Sequence, residues 1–343
     1  MNKTSLLVKK ENRWFETTIE FVIKSVASLS IILIFLIFLF VFRESFSLFQ
    51  SKNSTVSTQV YSAPKVYNPE SGTLKVKEAL KKESSKTSIT VWDTFFDSVW
   101  QPVGDNPKYG VLPLLIGTLK VTLIALLIGA PLGILAAICT SFFISAKWRN
   151  IIKPAIELLA SMPSVVIGFF CLIIIASLTK DLFGLDLRLN ALVGGIGLAI
   201  AIIPIIFTIT DDALQTVPKT LREASLALGA TEWQTAFKVM LPAATPGVFS
   251  AVLLGFGRAF GETMIALMAT GNAALISMNP AGSVRTLAAT IGAEMGEVIW
   301  GSDHYGILFL LGSILFLISF GINIVLEFYI KTRLLQKIQG KVG

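Results

Sequence analysis

Two charged residues interrupt an otherwise apolar stretch, Arg258 and Glu262 in Gly255-Phe256-Gly257-Arg258-Ala259-Phe260-Gly261-Glu262-Thr263-Met264. A guanidinium is a planar fork that donates two hydrogen bonds to a tetrahedral oxyanion. A carboxylate four residues on shares its helix face. There it neutralises the arginine, tunes how tightly an anion is held, or accepts a bond from a protonated one. Two readings stay open: an anion path, or an ion pair that only locks two helices together. Gly257 and Gly261 form one small-residue face and Ala251, Gly255 and Ala259 another, and such faces let helices approach closely.

Other chemistries lack their residues. No G-x-x-x-x-G-K-[ST] is present to cradle nucleotide phosphates. His304 is the only histidine, which excludes a multi-histidine metal site and a membrane-embedded Ser–His pair. Cys139 and Cys171 lie in apolar runs and read as small buried hydrophobes. Asp211 and Asp212 fall where a span ends, and helix-end solvation accounts for them. No catalytic role is expected in this chain.

A charge pair of this kind needs a membrane scaffold. Of 343 residues, 53% are apolar and 15% charged, with mean hydropathy +0.72; soluble domains carry roughly 25% charged residues. Runs long enough to cross a bilayer, about 20 residues each, fall near 21–42, 121–144, 154–178, 190–210, 246–271 and 306–330. The expected fold is all-α and polytopic, with six spans. On this register Arg258 sits near the midpoint of the fifth, where a lone charge costs about 2.5–3.5 kcal/mol. Lys120 falls at the outer end of the second and snorkels.

Basic residues set the orientation. Lys3, Lys9, Lys10, Arg13 and Lys24 lie before or at the start of the first run. Lys147, Arg149 and Lys153, then Lys219, Arg222 and Lys238, then Lys331, Arg333, Lys337 and Lys341 recur on the same side. The short opposite loops hold Lys180, Arg188 and Arg285. The expected layout is a cytoplasmic N-terminus over 1–20, an uncleaved anchor over 21–42, an external polar segment over 43–109, a five-helix core over 110–330 and a cytoplasmic C-terminus over 331–343.

The segment at about 211–245 predicts two short amphipathic helices around a glycine. Leu221–Leu228 favours helix, Gly229 suits a left-handed C-terminal position, Thr231 caps the next helix and Pro242 closes it. A helix-turn-helix of this size can dock in a partner's groove.

The spacing resembles the EAA loop of ABC importer permeases: Glu223-Ala224-Ser225, Gly229 after three residues, then Val239 and Leu241-Pro242, with one Ala-to-Ser departure. Span five is similar to the phosphate permease family, the PstC type, in Gly257–Thr263 and in Ser283-Val284-Arg285-Thr286-Leu287-Ala288-Ala289-Thr290-Ile291 with Glu294. Gly117-Thr118-Leu119 and Pro163–Gly168 match as well. The resemblance implies a MetI-like permease core with an extra N-terminal helix in a bacterial inner membrane. It implies a PstA-like second permease, a PstB-like ATPase dimer and a PstS-like external phosphate-binding protein. ATP and Mg would be bound by the ATPase, with no cofactor in this chain. Arg258, Glu262 and Thr263 would belong to the phosphate path. Glu223, Ala224, Ser225, Gly229, Leu241 and Pro242 would couple to the ATPase. Arg285 would be an outer structural or binding-protein contact, or a charge that steers anions. Sulfate or molybdate suit the same arginine. A secondary transporter or channel is the reading from another class, for which no internal repeat or coupling-ion site is found.

Overall fold

The computed structural model describes residues 13–50, 96–104 and 107–329. Most of the expected cytoplasmic N-terminus, most of the external segment and the whole C-terminal tail lie outside the described residues.

Among the described residues the regular structure is helical except for one two-stranded hairpin. The helices are α1 (Arg13–Gln50), α2 (Leu112–Ile138), α3 (Ala146–Ala160), α4 (Ser164–Phe170), α5 (Ala176–Phe183), α6 (Ala191–Thr216), α7 (Lys219–Ala227), α8 (Glu232–Thr235), α9 (Leu241–Ala243), α10 (Thr245–Phe260), α11 (Met264–Ala269), α12 (Leu287–Glu294) and α13 (Asp303–Tyr329). The strands β1 (Trp100–Gln101) and β2 (Lys108–Tyr109) pair antiparallel between α1 and α2. Wide helical turns extend α2 over Cys139–Phe143, join α4 to α5 over Cys171–Ile175, and join α8 to α9 over Ala236–Met240. Such turns often mark functional segments.

Among the described residues five helical units are long and apolar enough to span: Thr17–Phe46, Leu112–Phe143, Ser164–Phe183, Ala191–Thr216 and Asp303–Ile324. Glu232–Ala243 and Thr245–Phe260 make a sixth only as a pair bent by 73°. The expected boundaries shift accordingly. Span two starts at Leu112, so Lys120 is two turns inside it and not at its end; its Nζ donates to the Ser277 carbonyl at 2.7 Å. The expected third span divides. Residues 146–160 form a separate amphipathic helix with no buried residue, and the span proper begins after Pro163. The polar residues Lys147, Arg149, Asn150 and Lys153 suit an interface helix better than a hydrocarbon one.

The packing axis is α2 against α6, the most buried of the candidate spans. Glycines let these backbones meet: a Cβ at Gly195 would strike Ile124, and Cβ atoms at Gly129 and Gly133 would strike Ile202 and Ile206. Ala251, Gly255 and Ala259 of α10 are buried, with Gly255 against Ile206, so this face is used within the chain. A Cβ at Gly257 would meet only Asn323 of α13, at 4.0 Å, and one at Gly261 only its own helix.

Three apolar clusters stack along the bundle. Trp100, Tyr109, Leu114, Leu287 and Leu308 close one end. Val121, Ile167, Leu198, Ile202 and Ile265 fill the middle. Ile138, Phe207, Leu214, Ala236 and Met240 close the end that carries the Lys219–Leu241 loop.

Candidate functional site

Span five is not one helix. Helix α10 ends at Phe260, and Gly261 occupies its C-terminal cap. Glycine is less favourable than alanine inside a helix by about 1 kcal/mol. Three residues later α11 begins at Met264. The Glu262 carboxylate lies in the break. Its Oε1 accepts the backbone N–H groups of Thr263 at 3.1 Å and Met264 at 3.2 Å, two of the donors freed at a new helix start. The expected pairing of Arg258 with Glu262 along one helix face is therefore corrected. No ion pair joins them among the described residues, because the helix that would align them stops between them. Arg258 is exposed, with no hydrogen-bond or ion-pair partner among the described residues. Thr263, the third residue of the expected path, sits half-buried with its methyl group towards Gly292 of α12.

Irregular backbone at membrane depth is tolerated where it is buried in protein or lines a cavity. An exposed guanidinium one turn before such a break can donate hydrogen bonds to a group outside this chain. Neither feature suits a lipid-facing surface.

At one end of the bundle, loop 271–286 folds back on the spans. Thr118 Oγ1 accepts the Leu287 N–H at 3.0 Å, and the first N–H groups of α6 donate to the Gly282 and Pro280 carbonyls. Arg285 is committed here. Its Nη1 lies 3.0 Å from Glu294 Oε1, and its Nε donates to Asn272 Oδ1 at 3.1 Å. Glu294 also accepts from Trp100 Nε1 at 3.1 Å and contacts His304 Nε2 at 2.8 Å. Burial pushes the Glu294 carboxyl up, but the bonds from His304 and Trp100 and the Arg285 charge outweigh it and hold it below the ordinary carboxylate value. Burial, with the Asp303 and Glu294 charges, pushes the Tyr109 phenol up to about 12. Arg285 thus ties the hairpin end of the bundle together, and Glu294 cancels most of the field a steering charge would project. Nothing in the sequence near Glu294 assigns it this role, because Trp100 lies 194 residues away in the chain.

At the opposite end the expected helix-turn-helix forms. Helix α7 ends with Gly229 at φ +87°, its N–H bonded to the Leu226 carbonyl and that of Ala230 to the Ser225 carbonyl. Thr231 caps α8 in a reciprocal capping box with Gln234. Ser225 is buried, and its hydroxyl pairs with Thr235 Oγ1 at 2.9 Å. The departure from the resembled motif therefore staples the two helices. Arg222 Nη2 reaches both Glu232 oxygens at 3.0 Å and adds a second clamp. Glu223, Ala224 and Pro242 are exposed, and Leu241 is half-buried. Leu228 is 90% and Trp233 60% exposed, so the loop presents apolar side chains outward.

The same end holds a cluster the sequence did not reveal. Asp211 is not solvated at a helix end. It lies within α6, fully buried, and its carboxylate takes Arg149 Nη2 at 2.8 Å, Lys153 Nζ at 3.0 Å, Ser141 Oγ at 2.7 Å and Gln215 Nε2 at 2.6 Å. Asp212 is exposed and shares Lys153 at 3.0 Å. Partial burial lowers the Lys153 ammonium, but its hydrogen bonds to Asp212 and Asp211 raise it more, leaving it above the ordinary lysine value. Cys171 is buried as expected, whereas Cys139 is exposed.

A family model described as "Binding-protein-dependent transport system inner membrane component" matches residues 129–332. A Bacillus subtilis (strain 168) protein, "Probable ABC transporter permease protein YqgH", is 40% identical over 235 residues, 68% of this chain and 75% of that one. "Phosphate transport system permease protein PstC" of Xylella fastidiosa (strain Temecula1) is 32% identical over 252 residues, 67% of this chain and 76% of that one. Among solved structures, a bacterial ABC transporter involved in the import of the acidic polysaccharide alginate shares the fold with a TM-score of 0.50 and 13% identity, over 65% of this chain and 79% of that chain.

Proposed function

The chain belongs to the binding-protein-dependent transport system inner membrane components, and from that premise we propose that it carries inorganic phosphate inward as one of two permease subunits of an ATP-driven importer. The observation that carries the proposal is Arg258: exposed, unpaired among the described residues, and one turn before the break in span five. A second permease, PstA-like, would face this arginine and close the path. Phosphate, a tetrahedral oxyanion, takes two parallel bonds from the guanidinium. Glu262 orders the break that follows Arg258, and Thr263 immediately precedes the next helix. Relatives named as phosphate permeases support this cargo over sulfate or molybdate.

The Lys219–Leu241 loop docks a PstB-like ATPase dimer, with Glu223, Ala224, Ser225, Gly229, Leu241 and Pro242 shaping the contact. Both termini face the cytoplasm, and the hairpin end, with Arg285, faces the PstS-like binding protein. ATP and Mg sit on the ATPase, with no cofactor held by this chain.

The test is labelled phosphate uptake and subunit assembly measured on the same membranes. Because Arg258 has no carboxylate partner here, Arg258→Gln leaves no charge orphaned and assembly should persist. Uptake should fall by roughly tenfold or more, and Arg258→Lys should restore little of it, since an ammonium lacks the fork. Uptake near wild type in Arg258→Gln would sink the proposed path.

A further inference from the structure

Between the wide turn after α2, the amphipathic α3 and the root of α7 lies a cavity of about 240 Å³. That is below the roughly 300–1,000 Å³ of sites for drug-sized ligands, and it suits a small ion with its water. Its polar lining is Ser141, Arg149, Gln215, Lys219 and Arg222. Carboxylates hold two of the three cations, Arg149 through Asp211 and Arg222 through Glu232. Lys219 has no carboxylate partner among the described residues, and no carboxylate lines the cavity itself. The Arg222 guanidinium lies over the Phe142 ring at 5.5 Å, with its Nε–H enclosed and without a hydrogen-bond partner among the described residues. Helix α7 begins at Lys219, so its positive end adds to the attraction.

We infer that this cavity is a second anion site, for a phosphate-class group, at the root of the coupling loop. It is distinct from the path at Arg258. An anion bound there competes with Glu232 for the Arg222 fork and loosens the clamp between α7 and α8. Occupancy lowers coupling to the ATPase, so the site acts as a feedback element read from the loop side. Free phosphate and the headgroup of an anionic lipid offer the same chemistry. The inference rests on the reading of Lys219–Leu241 as the ATPase-facing loop.

The experiment uses the assembled transporter in phosphatidylcholine nanodiscs, with saturating phosphate-loaded binding protein. ATP hydrolysis is followed as inorganic phosphate rises, each variant normalised to its own rate without added phosphate. Product inhibition of the ATPase chain is common to all variants and cancels in the comparison. Lys219→Gln should raise the half-inhibiting phosphate concentration about fivefold, the upper end for an exposed ion pair, and Lys219→Arg should restore it. If the wild type and Lys219→Gln differ only in discs containing phosphatidylglycerol, the site stands with the lipid headgroup as its ligand. Equal responses of both proteins in both kinds of disc overturn the site. Failure of the docking reading shows separately, as full coupling in Gly229→Val.

Discussion

Replacing Asp211 with Asn should free α3 from the bundle without changing the shape of the site. The side chains are nearly isosteric, so no cavity opens. What changes is the count of acceptors: four donors converge on Asp211, and asparagine offers one oxygen and a competing NH₂. Removing one partner of a buried ion pair costs about 3–5 kcal/mol. Arg149 and Lys153 each keep 28% of their side chains exposed, so water recovers part of this, leaving a loss of about 2–3 kcal/mol. Because α3 buries no residue fully, this loss falls on its docking. Hydrogen exchange of α3 amides in the assembled complex should speed up by roughly 30- to 140-fold, with the α2 and α6 amides unchanged. Asp211→Leu combined with Arg149→Met and Lys153→Met should recover most of the protection, as replacing a whole buried ionic cluster by apolar groups often does. Exchange within threefold of wild type in Asp211→Asn would refute the reasoning.

The carboxyl of Glu294 is held below its ordinary value of 4.5, so its stabilisation is complete above that value and is lost as pH falls through the folded value. Thermal stability of the wild type should drop more steeply than that of Glu294→Gln below about pH 4.5, and parallel curves would count against the stabilising role of the Glu294 contacts with Arg285, Trp100 and His304. Ser225→Ala leaves the Thr235 hydroxyl buried without its partner and should cost about 1 kcal/mol. Ser225→Ala with Thr235→Val should recover it, which a double-variant cycle of melting temperatures would check. A Cβ added at Gly229 meets no atom within 4 Å, so the penalty expected of Gly229→Val is that of the left-handed backbone, about 1–2 kcal/mol. Membrane levels should hold while stimulation of ATP hydrolysis by the binding protein falls; intact stimulation would remove the docking role.

The Gly229 turn was legible because its determinants are local. A glycine at φ +87° and a threonine with glutamine three residues on specify that turn within a few residues. The apolar runs were legible for a similar reason, since lipid demands internally satisfied backbone over about 20 residues. Pro163 and the polar start of α3 carried the break between α3 and α4, but a summed apolar run hides it. Glu262 was misplaced because residues four apart pair only if the helix continues. Gly261 followed by Glu262 and Thr263, a helix breaker and then residues able to accept freed N–H groups, was the available signal. Nothing local assigns Asp211 its partners, because Arg149 lies 62 residues away in the chain and Ser141 lies 70. Nor does anything local join Trp100 to Glu294, 194 residues apart. Composition and short-range turn chemistry determined that the chain enters a membrane as helices and carries a folded loop on one side. The tertiary structure decided which charges are neutralised and which are left unpaired. A side chain's charge is fixed by its own atoms, but its counter-ion is fixed by the packing of distant helices.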